Sequence, residues 1–278
     1  MYIYAISSDN PNFEPEYVME FALCKDVFGI FEHLKTLSNE IKLLFDDMPC
    51  KGSAGPSGGC YKELSLIHKV DAGTLLGEIG RELGSSDPGI FFDFGTYDYS
   101  KPLPYINPGR YSYPNEKGLE RHRPLYIICP LDLYESEMKS QLYDKLLRTV
   151  NPRCGEMMQD VPGTLQGSWF SADDATYGYK DEAQLGFLHA AIDPSEALIS
   201  IGGTFTEVGL WSFTAKSSGL INREFSQVTP DGNIYCYDQD QPGRILVELL
   251  GETKLQIEYQ SGSCSGTFAF RDPTTYER

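Results

Sequence analysis

No apolar run in this 278-residue chain reaches the roughly 18 residues that a transmembrane helix requires. Basic charge is scarce as well: 23 Lys and Arg stand against 40 Asp and Glu, a formal charge of -17. A surface this acidic repels phosphate backbones and anionic headgroups. The densest basic cluster, Arg121-His122-Arg123, is short and follows Glu120. These absences argue against a nucleic-acid partner and against a membrane span. No C-x-x-C occurs, and no two cysteines lie close enough to a histidine for a structural zinc pattern. Met1-Tyr2-Ile3-Tyr4-Ala5 has no basic n-region, no long apolar segment and no small-residue cleavage site. If the protein is exported, the expectation is therefore that this chain is a mature or truncated form. No internal repeat or low-complexity tract is evident.

What the chain does contain is a core's worth of apolar residues. Hydrophobic residues are 41% and aromatics 13%, and the length fits roughly two domains at about 150 residues each. The 27 Gly and 17 Pro beside 18 Tyr and 15 Phe point to many turns joining short aromatic strands. Seven cysteines complete the inventory: Cys24, Cys50, Cys60, Cys129, Cys154, Cys236 and Cys264. Cys50 and Cys60 flank a Gly/Ser loop, Cys129 and Cys154 a helical stretch, and Cys236 and Cys264 late strand-like runs. Read as three disulfides with Cys24 odd, they imply an extracellular, periplasmic or cell-envelope location. Six cysteines allow about fifteen connectivities, so a reduced protein with buried thiols stays open.

The alternation of apolar residues predicts two domains, 1–150 and 151–278. In the first, Tyr17–Leu23, Val27–Phe31, Glu63–Val70 and Ile90–Tyr99 read as strands. Leu34–Met48 places Leu37, Ile41, Leu44 and Phe45 at helical spacing with Ser38 as a cap. A strand over Leu125–Cys129 and a helix over Leu131–Thr149 follow, stopped by Asn151-Pro152. The second domain reads as eight or nine short strands separated by turn signals, the last two being Lys254–Gln260 and Thr267–Phe270. The fold class expected is mainly β with a few helices: an antiparallel sheet domain followed by a small antiparallel barrel or sandwich.

Three blocks of the first domain resemble, in order, those of lysostaphin-type zinc endopeptidases. They are Tyr17–Phe21 through Gly29-Ile30-Phe31-Glu32-His33-Leu34, then Val70–Gly80 with its glycine turn, then Gly89–Gly95. The resemblance implies a peptidase-like β domain. In that family zinc is held by an H-x-x-x-D pair and the second His of H-x-H. Here Gly89 and Phe91 stand at the H-x-H positions, and neither side chain offers a lone pair to a metal. The chain's one H-x-x-x-D is His189 to Asp193, far downstream. Only His33 matches, at a position that in the family polarises the transition state without binding zinc. The resemblance thus implies a degenerate domain, as in uncharacterised bacterial proteins, with no cofactor and with His33 as its one weak catalytic candidate. Zinc belongs only to the alternative reading, an endopeptidase acting on cell-wall peptides.

Other residues are ambiguous. His68 sits in an alternating strand, His122 in a charged loop and His189 in an apolar strand. Gly55-Pro56-Ser57-Gly58-Gly59 matches G-x-S-x-G without the strand-turn-helix context of a nucleophile elbow. Cys24, beside Lys25 and Asp26, could be an activated thiol or an odd one. Asp93 and Asp98 would face opposite sides of a regular strand, which argues against a paired-carboxylate glycosidase site. Asp173-Asp174 and Asp238-Gln239-Asp240 lack the terminal glutamate of a calcium loop. Gly167-Ser168-Trp169 resembles the G-x-W of lipocalin-like barrels, in which a last-strand arginine packs across the tryptophan. Arg271 is the residue expected to do so, as a plug with Trp169. Such a barrel could also hold a small apolar ligand. The function expected is a non-catalytic exported module that binds a cell-envelope component or another protein.

Overall fold

The computed structural model describes residues 1–8, 16–54, 59–80, 92–111, 113–114, 120–121, 123–172, 183–239 and 243–278. In chain order the N-terminal elements are β1 (Tyr2–Ser8), β2 (Tyr17–Ala22), β3 (Val27–Leu37), α1 (Asn39–Asp46), β4 (Gly52–Ala54), β5 (Gly59–Lys69), β6 (Gly77–Ile79) and β7 (Asp93–Asp98). There follow β8 (Tyr113–Pro114), β9 (Glu120–Arg121), β10 (Ile127–Ile128) and α2 (Ser136–Tyr143). The remainder is β11 (Gly167–Ser171), β12 (Gln184–His189), β13 (Glu196–Ile201), β14 (Gly209–Thr214), β15 (Tyr235–Asp238), β16 (Arg244–Gly251), β17 (Lys254–Gln260) and β18 (Thr274–Glu277). The fold is mainly β with antiparallel sheets, and one sheet is a nearly closed barrel.

The chain forms two compact units that interleave in sequence. One comprises Met1–Pro102 with Tyr126–Lys139, the other Leu103–Leu125 with Ser140–Arg278. The division is therefore not a single junction near residue 150.

The first unit is an antiparallel sheet in the order β10-β7-β3-β2-β1-β5-β4, with β6 also paired to β3. β1 is an interior strand, between β2 and β5. Ile3 and Ile6 of β1, Met19 of β2 and Ile41 of α1 are fully buried and form its core with Leu34, Leu37, Phe45 and Val70. The helix expected over Leu34–Met48 is shorter than its periodicity. β3 runs through Leu37, and Ser38 then caps α1 by accepting from the Ile41 amide. Ile41 and Phe45, four residues apart, supply the buried face.

The second unit holds the barrel, ordered β14-β13-β12-β11-β18-β17-β16-β15. The large side chains of Trp169, Phe187, Phe225, Tyr237 and Tyr276 are fully buried inside it. The strand expected over Thr267–Phe270 is an irregular segment instead. Cys264 is tied to Cys236, and Phe268 and Phe270 pack against that bridge. The last strand is β18, which lies inside the sheet and joins its two halves by pairing with both β11 and β17. The stretch between β14 and β15 makes isolated bridges at Ile221 and Arg223. The helix expected to reach Thr149 stops at Tyr143, beyond which Arg148 turns its guanidinium onto the carbonyl oxygens of Asn151, Pro152 and Ala191.

Gly167 opens β11 with φ +124°, and a Cβ there would lie 2.3 Å from Asp160 Oδ1 and 2.8 Å from Asp160 Cα. Asp160 cannot give way freely, because its carboxylate accepts from the amides of Ser168 and Ile106. Gly167→Ala is therefore expected to destabilise this unit by about 2 kcal/mol, read as a lowered thermal midpoint. An unchanged midpoint would contradict this packing.

Candidate functional site

The site that the structure assembles is centred on His33. β3 is eleven residues long and changes partners along its length. Val27 to Glu32 pair with β7, ending in Glu32 opposite Asp93, whereas Leu34 to Leu37 pair with β6. On the other side, the register with β2 shifts between Tyr17, opposite Leu34, and Met19, opposite Phe31. His33 is the residue at that irregularity. Its φ of 63° lies in the left-handed region, which a non-glycine residue enters at a cost of about 1–3 kcal/mol. Bulges of this kind re-aim side chains within a sheet. The Gly80 amide secures the bend by donating to the His33 carbonyl oxygen over 2.9 Å.

Three carboxylates surround the ring. Nδ1 is hydrogen-bonded to Glu16, the residue just before β2. Nε2 lies 3.4 Å from Asp93 Oδ2, and Glu32 contributes the third negative charge. Burial works against protonation of His33, but the Glu16 hydrogen bond and the charges of Glu16, Asp93 and Glu32 outweigh it and raise its pKa above 6.5. The charged imidazolium is thus favoured in the fold. Its stabilising contribution is complete below the unfolded value near 6.5 and fades as pH rises through the higher folded value. In metal-free protein the His33 ring resonances are expected to titrate above 6.5, and Glu16→Gln to bring the midpoint down. A midpoint at or below the ordinary value would remove the Glu16 contact from the account.

The other candidates are dispersed. His68 Nε2 is 3.2 Å from Glu40 Oε1 at the surface. His189 lies on β12 with Nε2 3.1 Å from Glu224 Oε1. Asp193 is occupied by the amide and hydroxyl of Ser195 at 3.0 and 2.7 Å. Asp98 is occupied in the same way by Ser100, which lowers its pKa. Asp238 accepts from the Asn222 side chain and the Cys264 amide. Gly89, Phe91, His122, Ser57, Asp173, Asp174 and Asp240 lie outside the described residues.

Cys50 is bonded to Cys60, Cys236 to Cys264, and Cys129 and Cys154 are disulfide-bonded too, which makes three bridges. Such bridges persist in oxidising compartments. Cys24 is a free, exposed thiol.

Trp169 is crossed by an arginine, but not by Arg271. Arg271 is exposed in the segment before β18, where its amide donates to Glu258 Oε2. The closing strand lies later than Thr267–Phe270, and the arginine moves with it. Arg278, directly after β18, stands 4.2 Å from the Trp169 ring centroid. Its guanidinium donates to the carbonyl oxygens of Thr164 (2.7 Å), Gln166 (2.9 Å) and Val161 (3.2 Å).

No protein-family model, curated protein or solved structure matches this chain. The functional reading therefore rests on the site residues themselves. Glu16 and Glu32 were not singled out by the sequence, because only the register of β2, β3 and β7 brings them to the ring. Asp93 was noted there for its spacing from Asp98, which has no bearing on its role beside His33.

Proposed function

We propose that this protein is an exported, disulfide-stapled module that binds a cell-envelope component or another protein and does not hydrolyse its target. The observation that carries this reading is the fate of the chain's one H-x-x-x-D. His189 is engaged by Glu224, and Asp193 spends its carboxylate on the Ser195 turn. A peptidase of the lysostaphin type needs that pair to share one zinc ion and activate its water. In this reading the N-terminal unit is a degenerate relative of those domains that retains the sheet and uses it for recognition. The three disulfides support export. The large side chains buried in the barrel core support a structural role for the second unit over capture of a small apolar ligand, since about eight strands leave room only for side chains or one small guest.

Sedimentation with purified peptidoglycan sacculi tests the first-named target class. The protein is expected to pellet with sacculi and to leave them intact, with no new amino termini appearing in the supernatant. Solubilisation of the sacculi would overturn the reading.

A further inference from the structure

We propose that Glu32, His33 and Asp93 form a binding site for a divalent cation of zinc's class, with Glu16 as the residue that positions the histidine. One donor atom from each of the three residues lies within 4.8 Å of the others. The His33 Nε2 to Asp93 Oδ2 separation of 3.4 Å is the spacing of two ligands on one tetrahedral ion. Metal–ligand bonds of about 2.0–2.1 Å at tetrahedral angles put donors roughly 3.4 Å apart.

The backbone explains how neighbouring residues come to share a site. In a regular strand Glu32 and His33 would project to opposite faces. The left-handed φ at His33 breaks that alternation just where β3 leaves β7. The regular β3–β7 register, which ends at this point, sets Glu32 directly across from Asp93.

Glu16 supplies the outer shell. A metal-binding histidine commonly gives its other ring nitrogen to a carboxylate, which fixes the ring and makes the ligating nitrogen more basic. Here the Glu16 contact is on Nδ1, and the nitrogen facing Asp93 is Nε2. Three carboxylates around one imidazole favour a cation electrostatically. The Asp93 side chain is 65% exposed and that of His33 21%, so an ion and its water can enter from solvent. The donor set differs from that of the lysostaphin-type enzymes, where the position of His33 does not bind zinc. Neither proposal needs the other: an ion held here could shape a recognition surface without any hydrolysis.

The test is calorimetric titration of the full-length, chelator-treated protein with zinc chloride, repeated after cobalt substitution to read ligand geometry by visible absorption. One ion per chain is expected. Asp93→Asn and His33→Gln should each weaken binding by about 100-fold or more, Glu32→Gln should weaken it measurably, and Glu16→Gln by about 10- to 100-fold. Glu16→Gln should also shift the cobalt spectrum, which a merely structural change elsewhere would leave alone. Asp46→Asn, on the exposed side of α1, should bind as the unaltered chain does. If His33→Gln does not fold, Asp93→Asn decides, because its side chain lies mostly in solvent. Absence of zinc uptake by the unaltered protein, or undiminished uptake by Asp93→Asn, would overturn the site.

Discussion

Arg278→Ala is expected to destabilise the barrel unit by about 3–5 kcal/mol, whereas Arg271→Ala should leave it within about 0.5 kcal/mol of the unaltered protein. Arg278 is 5% exposed and Trp169 fully buried. The guanidinium satisfies carbonyl oxygens of Val161, Thr164 and Gln166 while lying over the indole. Truncation leaves the Thr164 carbonyl oxygen without a donor, at about 1–3 kcal/mol, while the Val161 and Gln166 oxygens keep only the Thr164 side-chain and amide donors and the Val161 amide, respectively. It also removes a desolvated cation–π contact worth about 2 kcal/mol. The indole Nε1 still donates to the Leu165 carbonyl oxygen, so Trp169 keeps its place and its fluorescence reports the transition. At roughly 2–4 °C per kcal/mol the midpoint should fall by about 10 °C. Equal effects of the two substitutions would mean that Arg278 is not the arginine that holds Trp169.

Replacing Cys236 and Cys264 together by alanine should destabilise the same unit by about 3–4 kcal/mol. The bond spans 28 residues, against 10 for Cys50–Cys60. Loop-closure entropy alone gives the longer loop roughly 1 kcal/mol more than the shorter. Cys236 is also fully buried, and Leu246, Phe268 and Phe270 pack on the bridge, so its loss opens a gap as well as a loop. Cys50 is exposed. Mild reductant should therefore open Cys50–Cys60 before Cys236–Cys264, as followed by alkylation and mass mapping. Reduction in the opposite order would contradict the packing around Cys264.

The sequence carries the class of this fold plainly, because strand alternation and turn residues act over a few positions. Ser38 and the Ile41/Phe45 pair mark α1 for the same reason: a cap and one helical turn are local. The bracketing of chain segments by Cys50 and Cys60, and by Cys236 and Cys264, coincides with bonds in the structure because both loops are short. Features set by long-range pairing were not legible. The apolar pattern marks no strand over residues 2–8, yet β1 lies inside the sheet, paired with strands that end near residues 22 and 69. The closing strand is displaced because Phe268 and Phe270 alternate as a strand would, but bury against a disulfide. Arg271 was expected across Trp169, but Arg278 lies there, because the last strand falls later in the chain than residues 267–270. At the candidate site, His33 could be found from its strand-end motif. Its partners could not, since Glu32 and Asp93 meet through the β3–β7 register and Glu16 approaches through the shifted β2–β3 register, and no residue type announces either pairing.

The surface charge of -17 gains a local meaning in this light: three of the carboxylates converge on one imidazole instead of being spread over solvated turns. A cation there and a recognition role are compatible, and turnover separates both from the peptidase alternative. The most direct measurement is incubation of the zinc-loaded, full-length protein with cross-linked peptidoglycan and with the soluble peptides of its bridges, scored for newly released amino groups. No release above a protein-free control is expected, at any zinc concentration that fills the site. Release that persists on dilution with fresh substrate, and is lost in Asp93→Asn or His33→Gln, would contradict the non-hydrolytic reading.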